Sequence, residues 1–377
     1  MSKNPLIKLE EYGQSIWLDF ISRKLIDSGE LEKLIREDNL KGITSNPSIF
    51  EKSIAQSNDY DQTINKWAEA CEDAHALYEK LAIKDIQDAA DLLSPVYIKT
   101  NGLDGYVSLE VSPHLSLDTN ETILEAQNLW QQVNRPNLMI KVPGTPQGMG
   151  AIRALTSAGI NINVTLLFSV DAYCDAAIAY LLGLKDRLEK NLSINNIHSV
   201  ASFFVSRIDS KIDELLENYI QKNPSSKQTQ IAQNLKGKVA IANAKLAYRA
   251  FEDIYDSDLA KNLIKNGAHP QRLLWASTST KNKNYRDVLY IEALIGKETV
   301  NTLPPATLEA FRDHGQVSDM MGHNLEEADL VMSDLEGLGI NFELCCEELL
   351  CEGLKLFSDA FDKLLEAVKL KMGEKKK

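Results

Sequence analysis

The 377-residue sequence lacks the long apolar runs and the basic excess that are typical of membrane and nucleic-acid-binding proteins. It contains no uninterrupted apolar stretch of about 18 residues, so no transmembrane span is predicted. Residues 1–10 show no apolar core of a signal peptide. The formal net charge of −13 argues against a nucleic-acid or anionic-membrane partner, because both require a basic face. We therefore expect a soluble, cytoplasmic protein.

The motifs of several common kinds of site are also absent from the sequence. The five cysteines form no CxxC pair, and their odd number argues for reduced thiols rather than a disulfide framework. The six histidines show no HxH, HExxH or His-plus-carboxylate spacing, which argues against a metal site. There is no G-x-S-x-G motif, and no Gly-rich phosphate loop follows the first predicted strand. We therefore expect no metal and no bound cofactor.

Eight short apolar segments alternate with stretches of helical periodicity, a pattern typical of an α/β protein with a parallel sheet. Apolar residues make up 44% and charged residues 25% of the chain, ordinary values for a globular protein. Since eight is the strand number of a closed barrel, we expect one (β/α)8 TIM-barrel domain over residues 1–377 rather than a doubly wound sheet. The predicted strands begin near Ser15, Gly42, Tyr106, Asn137, Ile160, Ser199, Leu273 and Val300.

Two segments are predicted to be additions to the barrel. Residues 310–377 have a helical pattern and end in a basic tail, 375–377, and we expect them to form an extension packed on the barrel. The same apolar positions would also suit a dimer surface, so the sequence allows either a monomer or a homodimer. Residues 223–237, which include Pro224, Ser225 and Ser226, are predicted to form a surface insertion.

One predicted strand carries a charged residue in its interior. The segment 137–145, NLMIKVPGT, is an apolar run that contains Lys141. Burial of an unpaired ammonium is costly, so this lysine must be paired, reach water or lose its proton. Taken alone, the segment favours a strand-end lysine whose amine reaches the surface. A neutral amine would instead be a nucleophile for carbonyl groups.

Polar residues follow the predicted strands at their C-terminal ends, where barrels of this type carry their chemistry. Each has a structural alternative: Asp19 as a helix N-cap, Asn46 as a turn residue and Glu110 as an ion-pair partner. Burial of polar groups on so many strands would nevertheless be costly without a function, and a lysine beside carboxylates fits Schiff-base chemistry. The set comprises Asp19, Thr44, Asn46, Glu110, Lys141, Asn163, Thr165, Ser202, Arg207, Ser279, Lys281, Asn301 and Thr302.

Six segments resemble sequence blocks of the transaldolase family, in its longer bacterial form. The resemblance implies a TIM-barrel enzyme of the non-oxidative pentose phosphate pathway that acts on sugar phosphates without a cofactor. Such an enzyme moves a dihydroxyacetone unit from sedoheptulose 7-phosphate or fructose 6-phosphate to glyceraldehyde 3-phosphate or erythrose 4-phosphate. The segments are GITSNPSIF (42–50), IKVPGT (140–145), NINVTLLFS (161–169), VASFFVSRID (200–209), LWASTSTKN (274–282) and VNTLP (300–304).

The resemblance also implies a role for each matching residue. Lys141 would form the Schiff base with the ketose C2, and Asp19 would exchange a proton with the C4 hydroxyl. Glu110 would act through a water that Thr165 helps to hold. The implied pocket residues are Thr44, Asn46, Asn163, Ser202 and Phe204, and the implied phosphate-binding residues are Arg207, Ser279 and Lys281.

Two departures from the family pattern and two alternative functions accompany the resemblance. Gly144 stands where alanine is common, with a slight expected effect, and Lys281 stands where many members have arginine, so phosphate geometry should be looser. Fructose-6-phosphate aldolases, which release the three-carbon unit to water, are shorter and have Gln and Tyr at the positions of Glu110 and Phe204. Both positions therefore favour transfer over cleavage. The second alternative is a catalytically inactive barrel that binds phosphosugars.

Overall fold

The fold is a closed barrel of eight parallel strands, ordered as in the sequence, with β8 pairing back onto β1. The computed structural model describes residues 4–224, 226–322 and 325–373, so Ser225, His323 and the basic tail 375–377 lie outside the described residues. The predicted (β/α)8 barrel is confirmed. The strands are β1 (Gln14–Leu18), β2 (Gly42–Ile43), β3 (Tyr106–Glu110), β4 (Leu138–Pro143), β5 (Ile162–Leu167), β6 (Ser199–Phe204), β7 (Arg272–Ala276) and β8 (Thr299–Leu303).

Helices occupy most of the chain between the strands and continue beyond β8. Within the described ranges they are α1 (Pro5–Lys8), α2 (Arg23–Asp27), α3 (Glu30–Glu37), α4 (Pro47–Ala55), α5 (Asp61–Trp67), α6 (Ala74–Lys99), α7 (Thr119–Val133), α8 (Pro146–Ala158), α9 (Val170–Glu189), α10 (Ser206–Lys222), α11 (Lys227–Leu235), α12 (Val239–Asp256), α13 (Asp258–Lys265), α14 (Leu289–Ala293), α15 (Pro305–His314), α16 (Leu325–Gly337) and α17 (Phe342–Gly373). None of the described helices is both long and apolar enough to cross a membrane.

Local side chains explain where several helices begin. Asp118 accepts hydrogen bonds from the backbone N–H groups at the start of α7, and Ser169 does the same for α9. Asp118 is therefore the N-cap of α7, and Ser169 is the N-cap of α9. Two other boundaries are not evident from the apolar spacing. The polar stretch after β2 opens α4 at Pro47, and residues 21–37, whose apolar spacing is helical throughout, are broken at Gly29, whose φ of 76° is left-handed.

The barrel interior is filled by side chains at alternate strand positions. Trp17 of β1 is fully buried, and Gly42 on the adjacent strand makes room for it. A Cβ atom on Gly42 would lie 2.4 Å from Cδ2 of Trp17. The N-terminal end of the barrel is closed by a buried ion pair between Arg272 and Asp104, whose charged atoms are 2.9 Å apart. The opposite end, where the strands terminate, is left open for a site.

Both segments predicted as additions contact the barrel domain. Helix α16 packs against α11 and α12, and α17 packs against α4, α6 and α10. The segment 223–237 contains α11, which packs on α10 and buries Ala232 and Leu235. The division into one barrel domain, an extension and an insertion stays a prediction that agrees with these contacts.

Candidate active site

Most of the predicted site residues meet in one cavity at the C-terminal end of the barrel. Glu110 and Asn163 are set in its wall, where Glu110 lies against Lys141 and Asn163 accepts a hydrogen bond from Ser202. Arg207 was predicted to lie at the end of a strand, and this is wrong. It lies in the first turn of α10, because β6 ends at Phe204. The predicted residues that line the cavity are Asp19, Thr44, Asn46, Lys141, Thr165, Ser202, Phe204, Arg207, Ser279, Lys281 and Thr302.

Lys141 does not reach the surface. Its side chain is only 5% exposed, and Nζ lies 3.2 Å from Oε2 of Glu110. Nζ also donates a hydrogen bond to the backbone carbonyl of Ser45 at 3.1 Å. The amine is therefore held by strand β3 and by the loop after β2, with one side open to the cavity.

Asp19 directly follows β1 and reaches the same cavity. Its side chain is deeply set in the barrel mouth and partly exposed where it lines the cavity. Thr44 donates a hydrogen bond of 2.7 Å to Oδ1, and the Thr44 hydroxyl lies 2.7 Å from that of Thr302. Burial raises the pKa of Asp19, while Lys141 and the Thr44 hydrogen bond oppose the shift. A carboxyl with a raised pKa suits proton exchange with a substrate hydroxyl.

Glu110 and Thr165 provide unused hydrogen-bonding capacity beside the lysine. Oε1 of Glu110 and the hydroxyl of Thr165 are buried without a hydrogen-bond partner among the described residues, and Oε2 of Glu110 is paired only with Lys141. Burial raises the pKa of Glu110, and the nearby Lys141 opposes the shift. Buried polar groups without protein partners are usual where a water or a ligand binds.

Thr165 owes its position to an irregularity in β5. The pairing register between β5 and β6 shifts between Val164 and Leu167, and Leu166 has a left-handed φ of 61°. Bulges of this kind redirect side chains and are common beside functional sites. The irregularity leaves the Thr165 hydroxyl buried against the cavity while Leu166 points toward Gly353 of α17.

A chain of hydrogen bonds stiffens the wall formed by β3, β5 and β6. The Ser202 hydroxyl donates to Oδ1 of Asn163 at 2.7 Å. The Nδ2 group of Asn163 donates to the Ser108 hydroxyl at 3.0 Å. Asn46, at the other side of the cavity, uses its side chain to cap α4 by accepting from the Ile49 N–H. The predicted pocket residues are thus fixed by their neighbours before any ligand binds.

Two cations lie together at the outer part of the cavity. Lys281 donates a hydrogen bond of 2.7 Å to the Ser279 hydroxyl. The guanidinium carbon of Arg207 lies 5.7 Å from the centre of the Phe204 ring. Burial lowers the pKa of Arg207, and partial burial followed by the charge of Arg207 lowers the pKa of Lys281. Two neighbouring cations, one of which lowers the pKa of the other, form a site for an anion.

Comparison with known proteins connects this geometry to a family. Residues 16–368 match the family model described as Transaldolase/Fructose-6-phosphate aldolase. The chain belongs to this family. A protein named Transaldolase from Trichodesmium erythraeum is 47% identical over 99% of this chain and 98% of its own length. Transaldolase 2 from Nostoc punctiforme is 46% identical over the same shares, and Transaldolase from Thiobacillus denitrificans is 43% identical over 94% and 97%.

Membership of the transaldolase/fructose-6-phosphate aldolase family confirms the resemblance inferred from the sequence blocks. The family model itself covers both transfer and cleavage enzymes, while the three relatives named above carry the name of the transfer enzyme. The comparisons therefore do not favour the aldolase alternative.

The cavity also contains residues that the sequence blocks did not assign to the site. Thr302 belongs to the predicted strand-end set, but the resemblance implies no role for it. Its contact with Thr44 places it beside Asp19. Ser277 has a left-handed φ of 54°, and its hydroxyl lies 3.0 Å from that of Ser206. Phe357 comes from α17 and lines the cavity. Its only signal in the sequence is an apolar position in an amphipathic helix.

Gly144 is more constrained than the sequence suggested. A Cβ atom at this position would lie 2.4 Å from Cδ2 of Leu167 and 3.2 Å from the carbonyl oxygen of Thr165. An alanine would therefore require the buried Leu167 side chain to move. The glycine allows the end of β4 to approach β5 closely, next to Thr165.

A second group of polar residues lies away from the cavity. Ligand atoms of His75, Glu79 and Glu125 fall within 4.8 Å of one another. His75 and Glu79 are four positions apart on α6 and so lie on one face of that helix. The prediction of no His-plus-carboxylate spacing is therefore wrong. All three residues are half-buried. The expectation that the enzyme uses no metal stays a prediction.

Proposed function

We infer that the chain is a transaldolase that transfers a dihydroxyacetone unit from a ketose phosphate to an aldose phosphate through a Schiff base on Lys141. The observation that carries this proposal is the buried Lys141 amine, 3.2 Å from a Glu110 oxygen and in the same cavity as Asp19. A buried amine beside carboxyl groups is suited to attack on a ketone carbonyl.

The first step would join the donor to the enzyme. The neutral amine of Lys141 attacks the ketose C2, and loss of water gives the imine. Protons must move to and from the oxygen on C2, and Glu110 would relay them through a water. The unpartnered Oε1 of Glu110 and the unpartnered Thr165 hydroxyl are suitable partners for that water.

The second step would break the bond between C3 and C4 of the donor. Asp19 takes the proton of the C4 hydroxyl, the aldose phosphate leaves, and the bonding electrons pass into the imine to give an enamine. The raised pKa of Asp19 makes it a more effective base than an exposed carboxylate. Attack of the enamine on an acceptor aldehyde and hydrolysis of the new imine complete the transfer.

The phosphate of both sugars would bind at the two cations. Arg207, Lys281 and the Ser279 hydroxyl offer donors at the outer part of the cavity. The rest of the molecule is acidic, with a formal net charge of −13, so a local pair of cations is needed to attract a phosphate. The remaining pocket residues would contact the donor hydroxyls, and these are Thr44, Asn46, Asn163, Ser202 and, by shape, Phe204.

We further propose that this reaction belongs to the non-oxidative pentose phosphate pathway and takes place in the cytoplasm. The first proposal rests on the names of the relatives and on the inferred sugar phosphate substrates. The second is supported by the five cysteines, all of which are free thiols, because disulfides are common in oxidising compartments. No cofactor is part of the proposed mechanism.

Reductive trapping tests the covalent centre. Borohydride added with fructose 6-phosphate should leave a three-carbon adduct on Lys141, detectable by mass spectrometry of the digested protein. Borohydride alone should leave none. The Lys141→Ala variant should form no adduct and should retain no transfer activity. Absence of an adduct on the wild-type protein, or an equal adduct on the variant, would contradict the mechanism.

A further inference from the structure

Helix α17 reaches across the mouth of the cavity and contributes one ring to its wall. Phe357 lines the cavity and is 5% exposed. The centre of its ring lies 5.7 Å from Nζ of Lys141. The ring thus adds an apolar cover to an amine whose other neighbours, the Ser45 carbonyl and Glu110, are polar.

The position of Phe357 is determined by neighbours one helical turn away on each side. Gly353 contacts the bulge of β5, since an added Cβ atom would lie 2.9 Å from Cδ2 of Leu166. Phe361 packs edge-on against Tyr78 of α6, with ring centres 5.5 Å apart. Residues spaced by four lie on one face of a helix. The face that carries Phe357 is therefore in contact with the barrel both before and after the ring.

Polar contacts also hold α17 along its length. Nζ of Lys211 on α10 lies 2.8 Å from both Glu348 and Glu352. Near the other end of the helix, Lys371 lies 2.8 Å from Asp61 and donates to the carbonyl of Ser57. A helix held at several points presents its side chains in fixed positions, so the Phe357 ring is a stable part of the cavity wall.

The proposed reaction, on which this inference rests, has one stage that is vulnerable to water. After the aldose phosphate leaves, the three-carbon unit remains on Lys141 as an enamine. If the enamine carbon takes up a proton, an iminium forms, and one water can add to its C2. Release of the amine then returns Lys141 and yields free dihydroxyacetone, with one water consumed and no change of oxidation state.

We propose that Phe357 determines specificity by keeping bulk water away from the enamine on Lys141, so that the enamine carbon reacts with an aldehyde before it takes up a proton. The one water at Glu110 and Thr165 still serves imine formation and hydrolysis. An acceptor sugar would enter past the phosphate-binding cations, since Lys281 is exposed whereas Phe357 is buried. Exclusion of water from reactive intermediates is a common function of apolar side chains at active sites. The appended helix thus supplies a part of the active site that the barrel strands lack.

The test compares transfer with hydrolysis in the full-length protein. With fructose 6-phosphate as donor and erythrose 4-phosphate as acceptor, both sedoheptulose 7-phosphate and free dihydroxyacetone are measured. In Phe357→Ala the ratio of hydrolysis to transfer should rise by about tenfold or more, because the opened cavity admits water. Phe357→Leu keeps a smaller apolar cover and should give an intermediate ratio. If the alanine variant does not fold, the leucine variant provides the measurement.

Leu364→Ala is the matched control. It removes a buried side chain from the same face of the same helix, but Leu364 does not line the cavity. Its ratio should equal that of the wild type, and an equal rise would assign the effect to helix packing and overturn the proposal. Borohydride trapping separates the two hypotheses. A missing adduct on the wild type contradicts the Schiff base, whereas a normal adduct with unchanged ratios in the Phe357 variants contradicts the role of the ring.

Discussion

Asp19 and Glu110 are both carboxyl groups whose pKa is raised by burial, yet their surroundings differ. Asp19 accepts a hydrogen bond from Thr44, which orients one oxygen and leaves the group open to the cavity. Glu110 is paired through Oε2 with Lys141, and its Oε1 has no hydrogen-bond partner among the described residues. These differences support separate tasks, direct proton exchange for Asp19 and a water-mediated relay for Glu110.

The variant Asp19→Asn should separate imine formation from bond cleavage. The amide cannot take a proton from the C4 hydroxyl, so transfer should fall by about 10²- to 10⁴-fold. The three-carbon adduct should be replaced by an adduct of the whole donor sugar in borohydride trapping, because Lys141 is unchanged. Mass spectrometry distinguishes the two adducts, and normal turnover would show that the role of Asp19 is misassigned.

The same variant should be more stable than the wild type at neutral pH. Because the folded-state pKa of Asp19 is raised, its favourable contribution is present at low pH and is lost as the pH rises through that value. Asparagine carries no charge, so the Tm of the variant should exceed that of the wild type at pH near 7, and the difference should shrink in acid. Asp27→Asn, on the exposed end of α2, should change neither Tm nor activity appreciably.

At the level of helices and strands, some contacts depend on glycines that allow two elements to approach closely. Gly183 of α9 faces α8, and a Cβ atom there would lie 2.6 Å from the carbonyl oxygen of Arg153 and 2.7 Å from Cβ of Thr156. Backbone atoms cannot move aside as a side-chain end can. The two helices would have to separate to accept any larger residue.

Gly183→Ala should therefore destabilise the protein by roughly 1–3 kcal/mol, as overpacking usually does. The Gly337→Ala variant is a matched control, since Gly337 lies in α16 and no atom stands within 4 Å of an added Cβ. Alanine has the higher helix propensity, so this second variant should gain up to about 1 kcal/mol. Urea unfolding of both variants measures the two changes, and effects of the same sign would contradict this account.

The elements themselves were largely predictable from local sequence. The caps at Asp118 and Ser169 and the apolar strands with polar ends are visible in neighbouring residues. The start of α10 was not, since β6 ends where its pairing with β7 ends, at Phe204 and Ala276. The break at Gly29 was also missed, because the apolar spacing continues across it. A boundary that depends on pairing between strands leaves little trace in local periodicity.

At the scale of the whole molecule, the two ends of the barrel have different tasks. The C-terminal end holds the active site, and the N-terminal end is closed by Arg272, Asp104 and a pair of stacked histidines, His198 and His269. Burial, followed by the charges of His269 and Arg272, lowers the pKa of His198 to about 3. Between pH 6.5 and about pH 3, His198 is therefore mostly neutral in the folded protein and mostly protonated in the unfolded chain.

His198→Phe should make the protein less sensitive to acid. A histidine whose folded pKa is lowered from 6.5 to about 3 loses its contribution to stability as the pH falls between these values. Phenylalanine keeps a ring but takes up no proton, so the Tm of the variant should fall less than that of the wild type between about pH 7 and about pH 5. Asp209, whose pKa is raised to about 7, makes both proteins more stable as the pH falls. Its effect is the same in the variant and the wild type, so it cancels when their Tm changes are compared. Equal losses of Tm would contradict the prediction.

The sequence by itself determined the eight-stranded barrel, the family and the set of polar residues at the strand ends. These follow from periodicity and from short motifs, which depend on residues close together in the chain. For Lys141, the segment 137–145 taken alone favoured a side chain that reaches the surface, and the other strand ends favoured a Schiff-base lysine. The fold buries its amine beside Glu110.

Only the tertiary structure decided which polar groups are left without partners and which distant residues complete the cavity. The free hydroxyl of Thr165 depends on the bulge in β5, and the ring of Phe357 reaches Lys141 because α17 packs across the barrel mouth. Both depend on contacts between elements far apart in the chain. Such contacts are set by the packing of whole surfaces, which no local pattern of residues specifies.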